Sequence, residues 1–109
     1  MEELRQFPRF NVQYKVSFSG EGIQGDGDVY NLSLGGCAVE SETSVPKGEY
    51  LQLRIQLPNL PAAVSVPLGA VRWAIRREFG VEFIRLPHED QERLRQHLKG
   101  LKPASPAHT

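Results

Sequence analysis

Residues 10–18 read FNVQYKVSF and carry the strongest structural signal in the chain. Every second residue from Phe10 to Phe18 is aromatic or valine, and the residues between them are polar. A period of two over this length predicts a β-strand with one face on a core and the other in solvent. Such one-sided strands are typical of antiparallel sheets.

Weaker alternation continues downstream and predicts a succession of short strands. Further strands are predicted at Val29–Leu32, Cys37–Ser41, Leu51–Leu57, Val64–Ile75 and Phe79–Phe83, with turns at Pro46–Gly48, Pro58–Pro61 and Arg76–Glu78. In the long strand the apolar residues stand at even positions up to Leu68 and at odd positions from Val71 onward. The change of parity falls at Gly69-Ala70 and indicates a bulge or bend there. The glycine-rich stretch Ser19–Asp28 is predicted to be a loop or a loose hairpin connection.

The period changes after Pro87. Leu94, Leu98 and Leu101 are spaced as one stripe of a helix, and Gly100 is a plausible terminator. About six short strands and one closing helix predict an all-β fold with a C-terminal helix, either a small barrel or a sandwich. A barrel is favoured because closure removes exposed sheet edges.

Length and charge restrict the kinds of partner. A chain of 109 residues with a formal net charge of zero is the size of one domain, and it has no overall field that attracts DNA, RNA or an anionic membrane. Any anion site must therefore be local. No apolar run is long enough for a signal peptide or a membrane span, and the single cysteine, Cys37, permits no internal disulfide. We therefore expect a cytoplasmic protein in which Cys37 is a small buried hydrophobe.

The sequence lacks the residue groupings that enzymes use. All three histidines, His88, His97 and His108, fall in the predicted helix or the tail, and we expect each to be a solvated surface residue. No cluster has metal-ligand spacing and no serine lies in a nucleophile motif. We therefore predict no catalysis, no metal and no cofactor.

Two short segments stand out as possible binding elements. In the first, Arg5 and Arg9 flank Pro8, which favours extended backbone before it. Guanidinium groups offer forked donors to phosphate oxygens and to the O6/N7 edge of guanine, although two solvated charges would look the same. The second is Asn31-Leu32-Ser33-Leu34-Gly35-Gly36. On a strand its Asn31 and Ser33 would share one face, with Leu32 and Leu34 turned inward, and the alternative is an Asn/Ser turn with a glycine kink.

Together the two segments form Arg-x-x-x-Arg followed by Asn-x-Ser-x-x-Gly, which resembles the PilZ domain family. The resemblance runs from Arg5 to about Leu101 and includes Ala70-Val71-Arg72-Trp73, Gly80-Val81-Glu82-Phe83 and the closing helix. It implies a six-stranded antiparallel β-barrel that binds the bacterial second messenger cyclic di-GMP on its outer surface. We therefore expect one domain over residues 1–101 with a flexible N-terminal arm at 1–9. Residues 102–109, which contain two prolines, are predicted to be a disordered tail.

The resemblance also implies roles for individual residues. Arg5 and Arg9 would hold guanine edges and phosphates, and Asn31, Ser33 and Gly36 would contact the other side of the ligand. Trp73 is either a core aromatic or a residue that touches a base. Some members carry a further arginine immediately before the first motif and hold a stacked ligand dimer. The residue here is Leu4, which favours a single ligand molecule.

The resulting hypothesis is a cyclic di-GMP receptor or adaptor that orders its arm on binding and signals to an unidentified effector protein. Family members are associated with motility and with exopolysaccharide and biofilm formation, and we expect a monomer rather than a stable oligomer. The main alternative is a PilZ-like protein-interaction adaptor that does not bind the nucleotide. A barrel that binds single-stranded nucleic acid is disfavoured, because the outward strand residues are mostly Gln, Ser, Asn and Glu rather than aromatic and basic.

Overall fold

A computed structural model describes residues 7–101 as six strands followed by one helix. The elements are β1 (Phe10–Gly20), β2 (Ile23–Leu32), β3 (Gly36–Ser41), β4 (Tyr50–Ile55), β5 (Val64–Ile75), β6 (Glu78–Arg85) and α1 (His88–Lys99). Most of the predicted arm, including Arg5, and the whole predicted tail at 102–109 lie outside the described residues. No helix within the described range has the length and apolar character needed to cross a membrane.

The strands pair antiparallel into a closed barrel in the order β1-β2-β3-β6-β5-β4. This confirms the predicted all-β class, the six-stranded antiparallel barrel and the single C-terminal helix. It also settles the choice between barrel and sandwich that periodicity alone left open. The order places β3 beside β6, which is far from it in sequence, and this pairing positions the candidate site.

The barrel interior is filled by the apolar residues of the alternating strands. Phe18 of β1 meets Phe79 of β6 edge to face, with ring centroids 5.3 Å apart, and so ties two distant strands together. Cys37 is buried among these residues, and burial raises the pKa of its thiol to about 12. The interpretation of Cys37 as a small buried hydrophobe is therefore confirmed.

The predicted loop or loose hairpin connection over Ser19–Asp28 is wrong in its extent: β1 and β2 form a hairpin, but most of these residues belong to its strands. The chain reverses at Glu21-Gly22, where Gly22 has a φ of 72°, and β2 begins at Ile23. Gly25 lies opposite Phe18, and a Cβ there would come within 2.5 Å of Thr43 Oγ1. A Cβ at Gly27 would collide with the Glu40 carbonyl oxygen. These glycines allow close packing of a strand, whereas the sequence pattern had indicated a loop or loose hairpin connection.

The helix lies where the sequence predicts it, after Pro87 and ending at Gly100. Leu94 and Leu98 are buried, and α1 packs against β5. Asp90 Oδ1 accepts the Ser65 N–H at 3.2 Å, and Arg93 donates to the Ala62 and Ala63 carbonyls at 3.0 Å each. These bonds attach the helix to the start of β5.

The prediction for the histidines is correct for His88, which is exposed, and wrong for His97. His97 is partly buried, and its Nε2 lies 2.7 Å from the Tyr14 hydroxyl of β1. Burial lowers the pKa of His97 and raises that of Tyr14. The helix turns this residue toward the barrel, where a tyrosine supplies a polar partner. His108 lies outside the described residues.

Candidate functional site

An open groove of about 660 Å³ lies between the segment before β1, the β2–β3 turn, strands β5 and β6, and the start of α1. Of the six residues predicted to bind a ligand, the structure brings five to its walls. They are Arg9, Asn31, Ser33, Gly36 and Trp73. The sixth, Arg5, lies outside the described residues. The groove thus gathers predicted residues that are up to 64 positions apart, from Arg9 to Trp73.

Ser33 organises the turn between β2 and β3. β2 ends at Leu32, so Ser33 follows the strand, and it does not share a strand face with Asn31 as predicted. Its hydroxyl oxygen accepts the N–H groups of Gly35 at 3.1 Å and Gly36 at 3.2 Å, and its own N–H donates to the Gly36 carbonyl at 2.9 Å. The alternative of a serine turn with a glycine kink therefore describes the local backbone, and this turn forms part of the groove wall.

The two leucines of this segment turn inward as predicted, though to different degrees. Leu32 is fully buried, and Leu34 is partly buried against the core.

Both glycines of the turn lie at close approaches, Gly36 against backbone and Gly35 against a side chain. A Cβ at Gly36 would collide with the Val81 carbonyl oxygen of β6, so the β3–β6 pairing itself demands glycine there. A Cβ at Gly35 would lie 2.6 Å from the Phe7 ring. Phe7 therefore lies directly over the turn, and both Phe7 and Arg9 line the groove. No motif in the sequence points to Phe7 as a site residue, although it lies inside the Arg5–Arg9 segment.

Trp73 forms part of the groove wall on β5. Its side chain is 38% exposed, so the core-aromatic alternative is wrong. The indole lies flat on Gly80 of β6, where a Cβ would collide with its Nε1 and Cε2 atoms. One aromatic face is thus packed on backbone, and the residue remains accessible from the groove.

Arg72 and Glu82 form an ion pair in the same wall, and neither was among the predicted site residues. Arg72 Nε donates to Glu82 Oε1 at 2.7 Å, and the two side chains are 57% and 40% exposed. Both belong to segments that resemble the family. Their contact depends on the β5–β6 register, which no local pattern in the sequence reveals.

The groove is locally cationic in a chain that is neutral overall. Its charged lining residues within the described range are Arg9, Arg72 and Glu82, two cations against one anion. An anion would meet this local excess of positive charge although the chain is neutral overall. The groove offers forked donors, an amide, backbone groups at a turn and an aromatic face, which suit an anionic ligand that carries planar bases.

A second groove, of about 770 Å³, lies across the outer faces of β1 to β4 and contains none of the predicted ligand residues. Four of its seven charged lining residues form two ion pairs. Lys15 Nζ lies 3.2 Å from Asp28 Oδ1, and Arg77 Nη1 lies 3.0 Å from Glu42 Oε2. Its Arg54 bonds to Ser65 Oγ at 3.2 Å. This face therefore supplies control positions for experiments on the first groove.

The comparisons with known proteins agree with the fold described above. The structure is similar to that of the Bacillus subtilis inhibitor of motility (MotI/DgrA), with 25% identity and a TM-score of 0.69. That match covers 90% of this chain and 53% of the other, so this chain spans about half the length of that protein. It also resembles the PilZ domain of CeSA from a cellulose-synthesising bacterium, with 16% identity and a TM-score of 0.64. That second match covers 84% of this chain and 95% of the other, and it shows the fold alone.

Comparison with curated proteins gives no match. The family model of the PilZ domain, however, matches residues 3–100, nearly the whole sequence. The chain therefore belongs to the PilZ domain family, whose characteristic fold is the six-stranded barrel described above.

Proposed function

We propose that this protein is a receptor for cyclic di-GMP and an adaptor that passes the signal to an effector protein without chemistry of its own. The observation that carries the proposal is the convergence of Arg9, Asn31, the Ser33–Gly36 turn and Trp73 on one groove. Membership of a cyclic di-GMP receptor family supports the choice of ligand. The lining supports a binding role, since its described residues include one carboxylate and no histidine.

The chemistry of the ligand suits the groups in the groove. Cyclic di-GMP carries two phosphates and two guanines, which an arginine can hold through forked hydrogen bonds. We propose that Arg9 makes such contacts and that Arg5 joins it from the arm. Asn31 offers both a donor and an acceptor to the opposite side of the ligand.

Ser33 has one remaining donor to offer. Its oxygen already accepts two backbone N–H groups, while its hydroxyl proton points to the Gly36 carbonyl over a long 3.3 Å contact. We propose that this proton turns to a ligand oxygen on binding. The backbone at Gly35 and Gly36 would meanwhile allow the ligand to approach closely.

Ordering of the arm over residues 1–9 is the proposed output of binding. An arm held against the ligand creates a surface that exists only in the bound state, and an effector protein can recognise it. One structural relative is named an inhibitor of motility, which makes a motility component a reasonable first effector to test.

Calorimetric titration of the full chain with cyclic di-GMP tests the proposal. We expect binding by the wild type and a loss of about tenfold or more in affinity for Arg9→Ala and for Arg5→Ala, because hydrogen bonds to charged groups are the stronger kind. Arg54→Ala, which removes an exposed arginine from the second groove, should leave the affinity unchanged.

Circular dichroism would confirm that each variant keeps its barrel. No heat of binding at high micromolar concentration, with the fold intact, would contradict the proposal and favour an adaptor that recognises proteins only.

A further inference from the structure

A bulge in β5 turns two consecutive side chains toward the groove. Val71 pairs with Val81 and Trp73 pairs with Gly80, so β5 has one residue more than β6 over this interval. In a regular strand Arg72 and Trp73 would point to opposite faces. The extra residue breaks that alternation, and both side chains line the groove.

Glu82 fixes the direction of the Arg72 guanidinium. The ion pair uses Arg72 Nε, and among the described residues no other group bonds to this guanidinium. Its two terminal nitrogens are therefore left as a fork of donors in the groove. A flexible side chain held in this way loses less conformational freedom when it binds a ligand.

Trp73 provides a flat surface next to that fork. Because the indole lies on Gly80, its position is set by the backbone of β6. An aromatic face is a general stacking surface for nucleobases. The neighbouring arginine would then meet the edge of a base that stacks on Trp73.

We infer that Arg72 reads the O6/N7 edge of a guanine that stacks on Trp73, with Glu82 as its positioning residue. Guanine presents two acceptors at this edge, whereas adenine presents an amino donor beside N7. The two guanidinium donors can bond to both guanine acceptors, O6 and N7. With adenine, one guanidinium donor would face the amino group, which is also a donor, and would make no hydrogen bond. Arg72 thus contributes to the choice of cyclic di-GMP over cyclic di-AMP. This inference rests on the proposed function of the groove and adds a specificity residue to it.

The single tryptophan of the chain, Trp73, allows binding to be followed by fluorescence. The affinities for cyclic di-GMP and cyclic di-AMP would be measured for the wild type, Arg72→Ala, Arg72→Lys and Glu82→Gln, with Arg54→Ala as the control. We expect Arg72→Ala to lower the affinity for cyclic di-GMP about tenfold or more. The ratio of the affinity for cyclic di-GMP to that for cyclic di-AMP should also fall. Arg72→Lys should resemble Arg72→Ala because lysine keeps the charge and loses the fork.

Glu82→Gln should weaken binding less than Arg72→Ala does. Its effect should disappear in the Arg72→Ala background, as expected of a residue that acts through the arginine.

The outcomes separate this inference from the proposed function. Wild-type binding together with an Arg72→Ala affinity within about twofold of it would overturn the role of Arg72 alone. If Arg72→Ala lowered the affinities for both dinucleotides equally and Arg72→Lys restored them, the inference would also be overturned. That result would mean that Arg72 acts through its charge and does not recognise the base. No binding by the wild type would overturn the proposed function, and the inference with it. Circular dichroism of each variant distinguishes lost contacts from lost fold.

Discussion

At the scale of single residues, Ser33 combines two tasks that the sequence could not separate. Its side chain is only 8% exposed and holds the Gly35 and Gly36 N–H groups, so it stabilises the turn whether or not a ligand is present. Its remaining donor is directed only to a long contact. A serine of this kind affects both folding and binding. Its role can therefore be assigned only when stability and ligand affinity are both measured.

Ser33→Ala should lower the free energy of unfolding by about 1–2 kcal/mol, because two backbone donors lose their acceptor. It should weaken cyclic di-GMP binding less than Arg9→Ala does, since a neutral hydrogen bond contributes less than a charge-assisted one. Urea denaturation and calorimetry measure the two effects. Ser17→Ala, an exposed change on β1, is the control.

Unchanged stability of Ser33→Ala would show that the turn does not depend on its hydroxyl. A loss of binding equal to that of Arg9→Ala would show that the main ligand contacts lie elsewhere.

At the scale of elements, the sequence predicted the strands whose side chains alternate, and it missed only the glycine-containing first part of β2. β1 follows the alternation from Phe10 onward, and α1 follows its leucines and the flanking Pro87. The first part of β2 was not predicted, because Gly25 and Gly27 are typical of loops. In the structure they are strand residues that pack closely against Thr43 and Glu40. Local composition does not show which strand approaches a glycine.

The contact between α1 and β1 predicts a dependence of stability on pH. Burial lowers the pKa of His97 in the folded protein, so the unfolded chain takes up a proton at higher pH than the folded chain does. Between those two pKa values the unfolded state binds more protons. The free energy of unfolding should therefore fall as the pH drops through 6.5, the ordinary histidine value, and level off below the folded pKa.

Denaturation at a series of pH values from about 8 to about 5 measures this slope. His97→Gln should flatten the curve over the histidine range, whereas His88→Gln, which changes an exposed residue of the same helix, should keep it. An equal slope in wild type and His97→Gln would show that the His97–Tyr14 contact does not set the response.

At the scale of the whole molecule, the site is a product of barrel closure. The strand order brings β3 beside β6, so Gly36 lies opposite Glu82, and Ala70 of β5 lies on the other side of Glu82. The β2–β3 turn and the Arg72–Trp73 bulge thereby meet across one groove. The overall charge of zero adds no long-range attraction, which leaves selectivity to the few groups in that groove.

The same topology explains which part of the site could be predicted. Arg9, Asn31, Ser33, Gly36 and Trp73 were found through two short motifs and the family resemblance, and the structure gathers them. The change of apolar parity at Gly69-Ala70 correctly predicted an irregularity in β5, since the β5–β6 register shifts between Leu68 and Gly69. Arg72 and Glu82 belong to the site because of a second shift, between Val71 and Trp73, where the apolar alternation of the sequence continues unbroken. Phe7 was missed because its partner, Gly35, is distant in sequence.

The most direct test of the account is an NMR titration of the full chain with cyclic di-GMP, followed residue by residue. We predict that the amide signals of Asn31 and of Ser33–Gly36, and the indole N–H of Trp73, shift and saturate together, while Lys15 and Arg54 of the second groove stay still. Shifts centred on Lys15 and Arg54, or no shifts at saturating ligand, would contradict the claim that the groove beside the β2–β3 turn binds the messenger.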